Sequence, residues 1–244
     1  MSKKLALIFL LIFSAYPVFS TNLAGILEDI RIQIADNSPD IANRERGDDV
    51  LIRRINYIQD EIASETRCCV GRISTGTVAG QREYRYPADI VSPIRLSYFI
   101  FWSTPPAYKT LDCVGLSFLY NDSLNWENGV SGLPSEYYDR GDCFGLKPTP
   151  ALLYSTTYAI QIDYYCRPVE LSTSTDIPFN GNRLLVSYHK LLVTGVVAMC
   201  LSEDGETVAA AGKYTEYDRG KKQMYNDIRV REDNNGATFK PIIR

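Results

Sequence analysis

The chain is poor in the residues that make chemistry easy to find. One histidine, His189, serves all 244 residues, and there are two tryptophans and three methionines. With a single imidazole, a Ser-His-Asp or Cys-His site would have to be built around His189. That residue lies between Tyr188 and Lys190 inside an expected helix, where a packing or helix-surface role is the simpler reading. There is no G-x-S-x-G elbow, no Walker loop and no G-x-G-x-x-G following a strand. No C-x-x-C pair is present, so the spacing excludes the common zinc frameworks. A basic excess is also missing. Without residues 1–20, whose only charges are Lys3 and Lys4, 24 basic residues face 29 acidic ones, a balance of −5. That is not the footprint of a protein that grips nucleic acid. Internal repeats of fixed period and low-complexity tracts are absent as well.

These gaps predict no catalytic residue, no cofactor-binding residue and no metal ligand, hence no enzyme and no cofactor. Glu136, Asp139 and Asp142 gather around Gly141 and could in principle ligate a metal, but a charged turn explains them more simply. Asn121-Asp122-Ser123 has the form of a glycosylation sequon, a pattern short enough to arise by chance.

Tyrosine is abundant, at 17 residues. Its apolar body and polar tip suit both pleated sheets with exposed faces and subunit interfaces. The six cysteines are Cys68, Cys69, Cys113, Cys143, Cys166 and Cys200. An even count permits three disulfides in an exported protein, whereas their scatter favours small, buried free thiols.

Residues 1–20 have the form of a secretory signal. Lys3 and Lys4 precede an apolar run from Leu5 to Tyr16, Pro17 breaks it, and a cut after Ser20 is acceptable. The run is too short for a comfortable membrane span of about 20 residues. Residues 21–232 read as a single domain, and 233–244 as an extended, loosely attached tail.

Hydrophobic spacing places helices in 22–65 and 182–231, around a β-rich middle at 70–170. Leu23, Ile26, Leu27, Ile30 and Ile34 form one stripe over 22–36. Leu51, Ile55, Ile58 and Ile62 form another over 48–65, with Asp48 and Asp49 at its positive end; the two helices are expected to pair antiparallel. Strands are expected at 81–86, 94–101, 109–120, 143–147 and 156–166, the last placing Tyr158, Ile160, Ile162 and Tyr164 on one face. Leu184 to Leu201 is apolar nearly all round, hence central. The last helix, 206–231, carries a basic face of Lys213, Arg219, Lys221 and Lys222, read as solvated surface. The fold class is therefore α+β, with N- and C-terminal helices packed together and a central antiparallel sheet or small sandwich inserted between them.

One ordered series of motifs carries further meaning. Gly132-Leu133-Pro134-Ser135-Glu136-Tyr137-Tyr138 is followed by Phe144-Gly145-Leu146-Lys147-Pro148-Thr149-Pro150. Then come Tyr164-Tyr165-Cys166-Arg167-Pro168-Val169-Glu170-Leu171, Asp176-Ile177-Pro178 and Tyr188-His189-Lys190-Leu191-Leu192. Upstream, Ile55-Asn56 through Ile62-Ala63 echoes an "I-N-x-x-x-x-x-I-A" segment. This order resembles the head-to-tail adaptor proteins of short-tailed and related phages, the group that includes tail tubular protein A. The likeness covers roughly residues 22–232, although Cys68-Cys69-Val70 stands where a tryptophan-rich stretch is usual.

The resemblance implies a structural virion protein, assembled in the host cytoplasm, that joins the portal protein to a tail or nozzle protein. It implies a homo-oligomeric ring, commonly a dodecamer, through which DNA passes without specific binding. Residues 1–20, taken at face value, imply instead an exported periplasmic or cell-surface binding protein; the connector reading involves no membrane unless that segment acts as a signal.

Overall fold

The computed structural model describes residues 22–35, 46–100, 106–122, 126, 129–154 and 159–234. The signal-like segment 1–20, Tyr158, and all of the expected tail beyond Asn234 lie outside the described residues.

The chain is an α+β protein. Among the described residues, helices α1 (Leu23–Gln33) and α2 (Asp48–Thr66) come first. Strands β1 (Val70–Thr75), β2 (Glu83–Arg85), β3 (Ile90–Ile100), β4 (Ala107–Thr110) and β5 (Asp112–Cys113) follow. A short helix α3 (Leu116–Asp122) leads to β6 (Glu136–Asp139), β7 (Cys143–Lys147) and β8 (Ile160–Cys166), then α4 (His189–Glu203) and α5 (Thr207–Asn234). The strands form two sheets, ordered β1-β8-β3-β4 and β2-β7-β6-β5. The first is antiparallel throughout; the second contains one parallel pair, β5 with β6.

The helical periodicities emerge as expected. Leu51, Ile55, Ile58 and Ile62 are all buried, and Asp48 and Asp49 occupy the first turn of α2, where the helix dipole favours carboxylates. α4 is buried around nearly its whole circumference and packs against α1, α2 and α5. α1 leans mainly on α4 rather than on α2, so the expected antiparallel α1–α2 pair is replaced by shared packing on the more apolar helix. α1 and α2 also meet through Arg31 Nη2 and Asp48 Oδ1 at 2.5 Å. Ile26 and Ile58 belong to the same apolar core as Leu96, Ile162, Phe144 and Leu146, so both sheets and the helices share it.

Several strand expectations need correction. Segment 109–120 is not one strand: it forms the end of β4, all of β5 and then α3, with Leu119 buried against Trp126 and Tyr138. Burying one side of Leu116–Asp122 in that satellite cluster overrides its aromatic, strand-like composition. β8 keeps Ile160, Ile162 and Tyr164 together on a buried face, as expected, but Asp163 and Tyr165 on its other face are buried too. Asp163 lies between Arg72 of β1 and Arg95 of β3, and Arg67 lies over the Tyr165 ring. The expected helix from Leu184 opens as a 3-10 stretch, Arg183–Tyr188, and becomes α-helical only at His189.

A close approach explains one glycine. Gly145 on β7 faces Tyr138 on β6, and a Cβ at Gly145 would come within 1.9 Å of the Tyr138 ring. The tyrosine lies across the space that only glycine leaves open.

Candidate functional site

The residues singled out for chemistry do not assemble. His189 is 1% exposed at the start of α4, with its ring 6.0 Å from that of Phe179. Glu136 pairs with Lys147 at 3.4 Å, while Asp139 accepts the Gly141 N–H at 2.7 Å and so closes the β6–β7 turn. Among the described residues no group of three or more His, Cys, Asp or Glu side chains could hold a metal. Asn121 of the sequon is exposed at the end of α3.

The motif residues meet instead in a structural clamp. Asn56 on α2 accepts the Leu171 N–H at 2.8 Å, and its Nδ2 donates to the Leu171 carbonyl at 2.9 Å. One turn on, Gln59 Nε2 donates to the Val169 carbonyl at 3.1 Å, and its Oε1 accepts the Phe179 N–H at 3.0 Å. Asn180, at φ 58°, accepts the Val169 N–H at 2.8 Å. Asp176 gathers the Ser172 and Thr173 N–H groups at 2.7 and 2.8 Å, and hydrogen bonds from the Thr173 hydroxyl and these amides push its carboxyl down to about 2. The same turn supplies carbonyls to the first N–H groups of α1: Leu23 donates to Asp176 at 2.8 Å and Ala24 to Ser174 at 3.1 Å. The irregular run from 167 to 182 is therefore bound to α1 and α2 by polar groups that a loop would otherwise leave to water.

Charged ties hold the helices together. Arg54 reaches Glu203 at 2.5 Å and Cys200 Sγ at 2.9 Å, and Arg46 pairs with Asp204. Lys221, expected on a solvated basic face, is buried. Its Nζ lies 2.6 Å from Glu61 and 2.9 Å from Glu65, and these carboxylates hold its pKa above the ordinary lysine value against the opposing effect of burial. Its partners sit about 160 positions earlier, a pairing that local sequence pattern does not reveal. Lys213 is also engaged, with Gln33 and Glu216, which leaves Arg219 and Lys222 of the four exposed and unpaired among the described residues.

Most of the described tyrosines pack inside the protein. Tyr84, Tyr86, Tyr98, Tyr137, Tyr138, Tyr164, Tyr165, Tyr188 and Tyr217 are buried, several with hydroxyls bonded to another element. Tyr98 bonds to Thr77 and Tyr154, Tyr188 to Asp227, and Tyr217 to Glu61. Tyr57, Tyr108, Tyr120 and Tyr214 remain exposed. Two open clefts lie among the described residues. One of about 310 Å³ is lined by Arg67, Pro93, Cys113, Tyr137, Asp139 and Tyr165 among others, and one of about 360 Å³ by Arg53, Tyr57, Asp60, Arg167 and Glu170 among others. Neither is lined by histidine, and Asp139, the carboxylate of the first, accepts the Gly141 N–H. The stretch Arg183–Glu203 is long and apolar enough to cross a membrane, but most of it is buried within the protein, as befits a core helix.

Among the described residues, polar side chains tie helices to a loop, and the exposed apolar residues are spread over several elements. A model of the SU10 adaptor protein family matches residues 21–241, nearly the whole chain, and the chain belongs to that family. A search of curated proteins found no match.

Proposed function

We propose that the chain is the head-to-tail connector of a tailed phage or prophage, joining the portal vertex of the capsid to the tail or nozzle protein. Copies close into a ring, twelve in number by the resemblance to tail tubular protein A-like adaptors, around the channel through which DNA leaves. The protein works in the virion, without catalysis. The observation that carries this reading is the family match, which spans residues 21–241 and so takes in all the described helices and both sheets. Ring closure needs heterologous contacts, a different patch on each side of the subunit. Exposed Tyr57 and Val169 near one cleft, and Val130, Leu152 and Leu153 elsewhere, offer distinct apolar patches for them.

In this reading residues 21–232 act as one domain, and residues beyond 233 reach a portal subunit and order on binding. A pull-down with the portal protein tests it. The full chain is retained, deletion of residues 233–244 abolishes retention, and retention unchanged by the deletion refutes the docking role. Native mass measurement of the purified ring, with N-terminal sequencing, reports the copy number and whether residues 1–20 remain.

A further inference from the structure

We propose that the outward face of α5 is a sequence-independent contact surface for the phosphate backbone of duplex DNA. The inference rests on the connector reading, in which some face of the ring must meet the passing duplex. α5 spans 28 residues, about 42 Å at 1.5 Å per residue. Ala210, Tyr217, Lys221 and Met224 bury its inner side. On the opposite side Arg219, Lys222, Asn226 and Arg229 follow one another at three- and four-residue steps, all exposed, so they share a face.

Each described carboxylate side chain of this helix has a partner of its own, and Asp218 also stands one turn before Lys222. Asp218 lies 3.6 Å from Lys221, Glu216 lies 3.7 Å from Lys213, and Asp227 accepts the Tyr188 hydroxyl. Arg219 and Lys222 make no hydrogen bond or ion pair among the described residues, and Arg229 donates to the Tyr225 hydroxyl at 3.2 Å and rests over its ring at 5.4 Å, with no carboxylate partner among the described residues. The face thus presents three cations with polar Gln223 and Asn226 between them, while the chain as a whole is acidic at −3. Long, exposed cations on a convex helix meet phosphates as point charges and read no base. Such contact is weak for each subunit, and the acidic remainder of the protein opposes tight retention. That suits a surface past which DNA must move.

The test is fluorescence anisotropy of a labelled 30-base-pair duplex with the purified full chain, alongside the triple variant R219Q/K222Q/R229Q. Native mass spectrometry follows ring formation in the same samples. The wild type is expected to bind two unrelated duplex sequences equally. Its affinity should fall roughly 40-fold between 50 and 200 mM salt, as three phosphate contacts require. The variant loses at least ten-fold in affinity at 50 mM salt with assembly intact. A wild type that does not bind, a variant that binds as well, or a variant that loses assembly while keeping DNA affinity overturns the proposal; the last would make this face a subunit contact. A wild type that stays monomeric yet binds through these three residues sinks the connector reading and leaves the phosphate surface standing.

Discussion

Asn56 holds Leu171 by both of its backbone groups, with the N–H received at 2.8 Å and the carbonyl engaged at 2.9 Å. The two residues stand 115 positions apart, one on α2 and the other in the loop after β8. A carboxamide suits this position because it offers one donor and one acceptor side by side, matching the peptide unit it grips.

Asn56→Ala removes both bonds and leaves two part-buried backbone groups without partners. The expected cost is about 2–3 kcal/mol, read as a fall in the urea midpoint with the slope unchanged. Asn56→Asp keeps the acceptor for the Leu171 N–H but sets a carboxylate oxygen against the Leu171 carbonyl, so it destabilises too and recovers part of the loss only when protonated at low pH. An unchanged midpoint for the alanine variant would show that the loop is held by other contacts alone.

The clamp also marks how far the sequence could be read. Asn56 and Leu171 both stood in motifs that carried the family resemblance, but nothing in their spacing said that they touch. The helices were legible because burial on one side imposes a 3.6-residue period, as at Leu51, Ile55, Ile58 and Ile62. β7 was legible at residues 143–147 because Gly141 and Pro148 bracket it. β1 was not. It is an edge strand in which Val70 and Ile73 are exposed on opposite faces, so its pattern never alternates. α3 was misread because seven residues give too little period to outweigh Phe118 and Tyr120. Lys221 and its partners escaped notice because charge pairing across about 160 residues leaves no local trace.

Asp163 makes acid stability a second test. It sits on the central strand β8, its side chain 4% exposed, with Arg72 Nε at 2.5 Å and Arg95 Nη2 at 2.6 Å. Burial alone would raise its pKa; the hydrogen bonds and charges of the two guanidiniums outweigh that and hold it below the ordinary value. A carboxyl whose folded pKa is depressed binds more protons unfolded than folded. Its stabilisation is therefore complete above the unfolded value of about 3.9 and is lost as pH falls through the folded value. Asp176, pushed down to about 2, has the same sign. The urea midpoint should decline from about pH 5 downward. Asp163→Asn should lower it at pH 7 by the equivalent of about 1–2 kcal/mol, since two half-exposed arginines lose their charged partner but stay in contact with water. The variant's curve should also be flatter below pH 4. Parallel curves for variant and wild type would mean that Asp163 does not titrate with unfolding.

The cysteines yield the last prediction. All six are unbridged: Cys113 is exposed, Cys143 half-buried, and Cys68, Cys69, Cys166 and Cys200 buried. Thiolate, not thiol, attacks a disulfide reagent, so access and pKa together set the rate. Cys113 should react first with Ellman's reagent at pH 8. Cys143 should follow more slowly, since burial and nearby carboxylates push its pKa up. Cys69, hydrogen-bonded to Cys68 with their sulfurs 3.7 Å apart, is pushed up much further, and Cys200 is also raised by burial although Arg54 donates to its sulfur. The four buried thiols should therefore stay silent in the native protein and appear only on unfolding, bringing the total to six without added reductant. The count also separates the two origins proposed for the chain. A connector assembled in the cytoplasm keeps its thiols reduced, whereas a protein exported through residues 1–20 enters a compartment where cysteines close on one another. Cys69 and Cys166 lie next to the paired residues Val70 and Tyr165, with the Cys166 N–H bonded to the Cys69 carbonyl at 3.0 Å, so an oxidising compartment would find them already adjacent. Four thiols rather than six in the unfolded, unreduced protein would favour export and count against the virion reading.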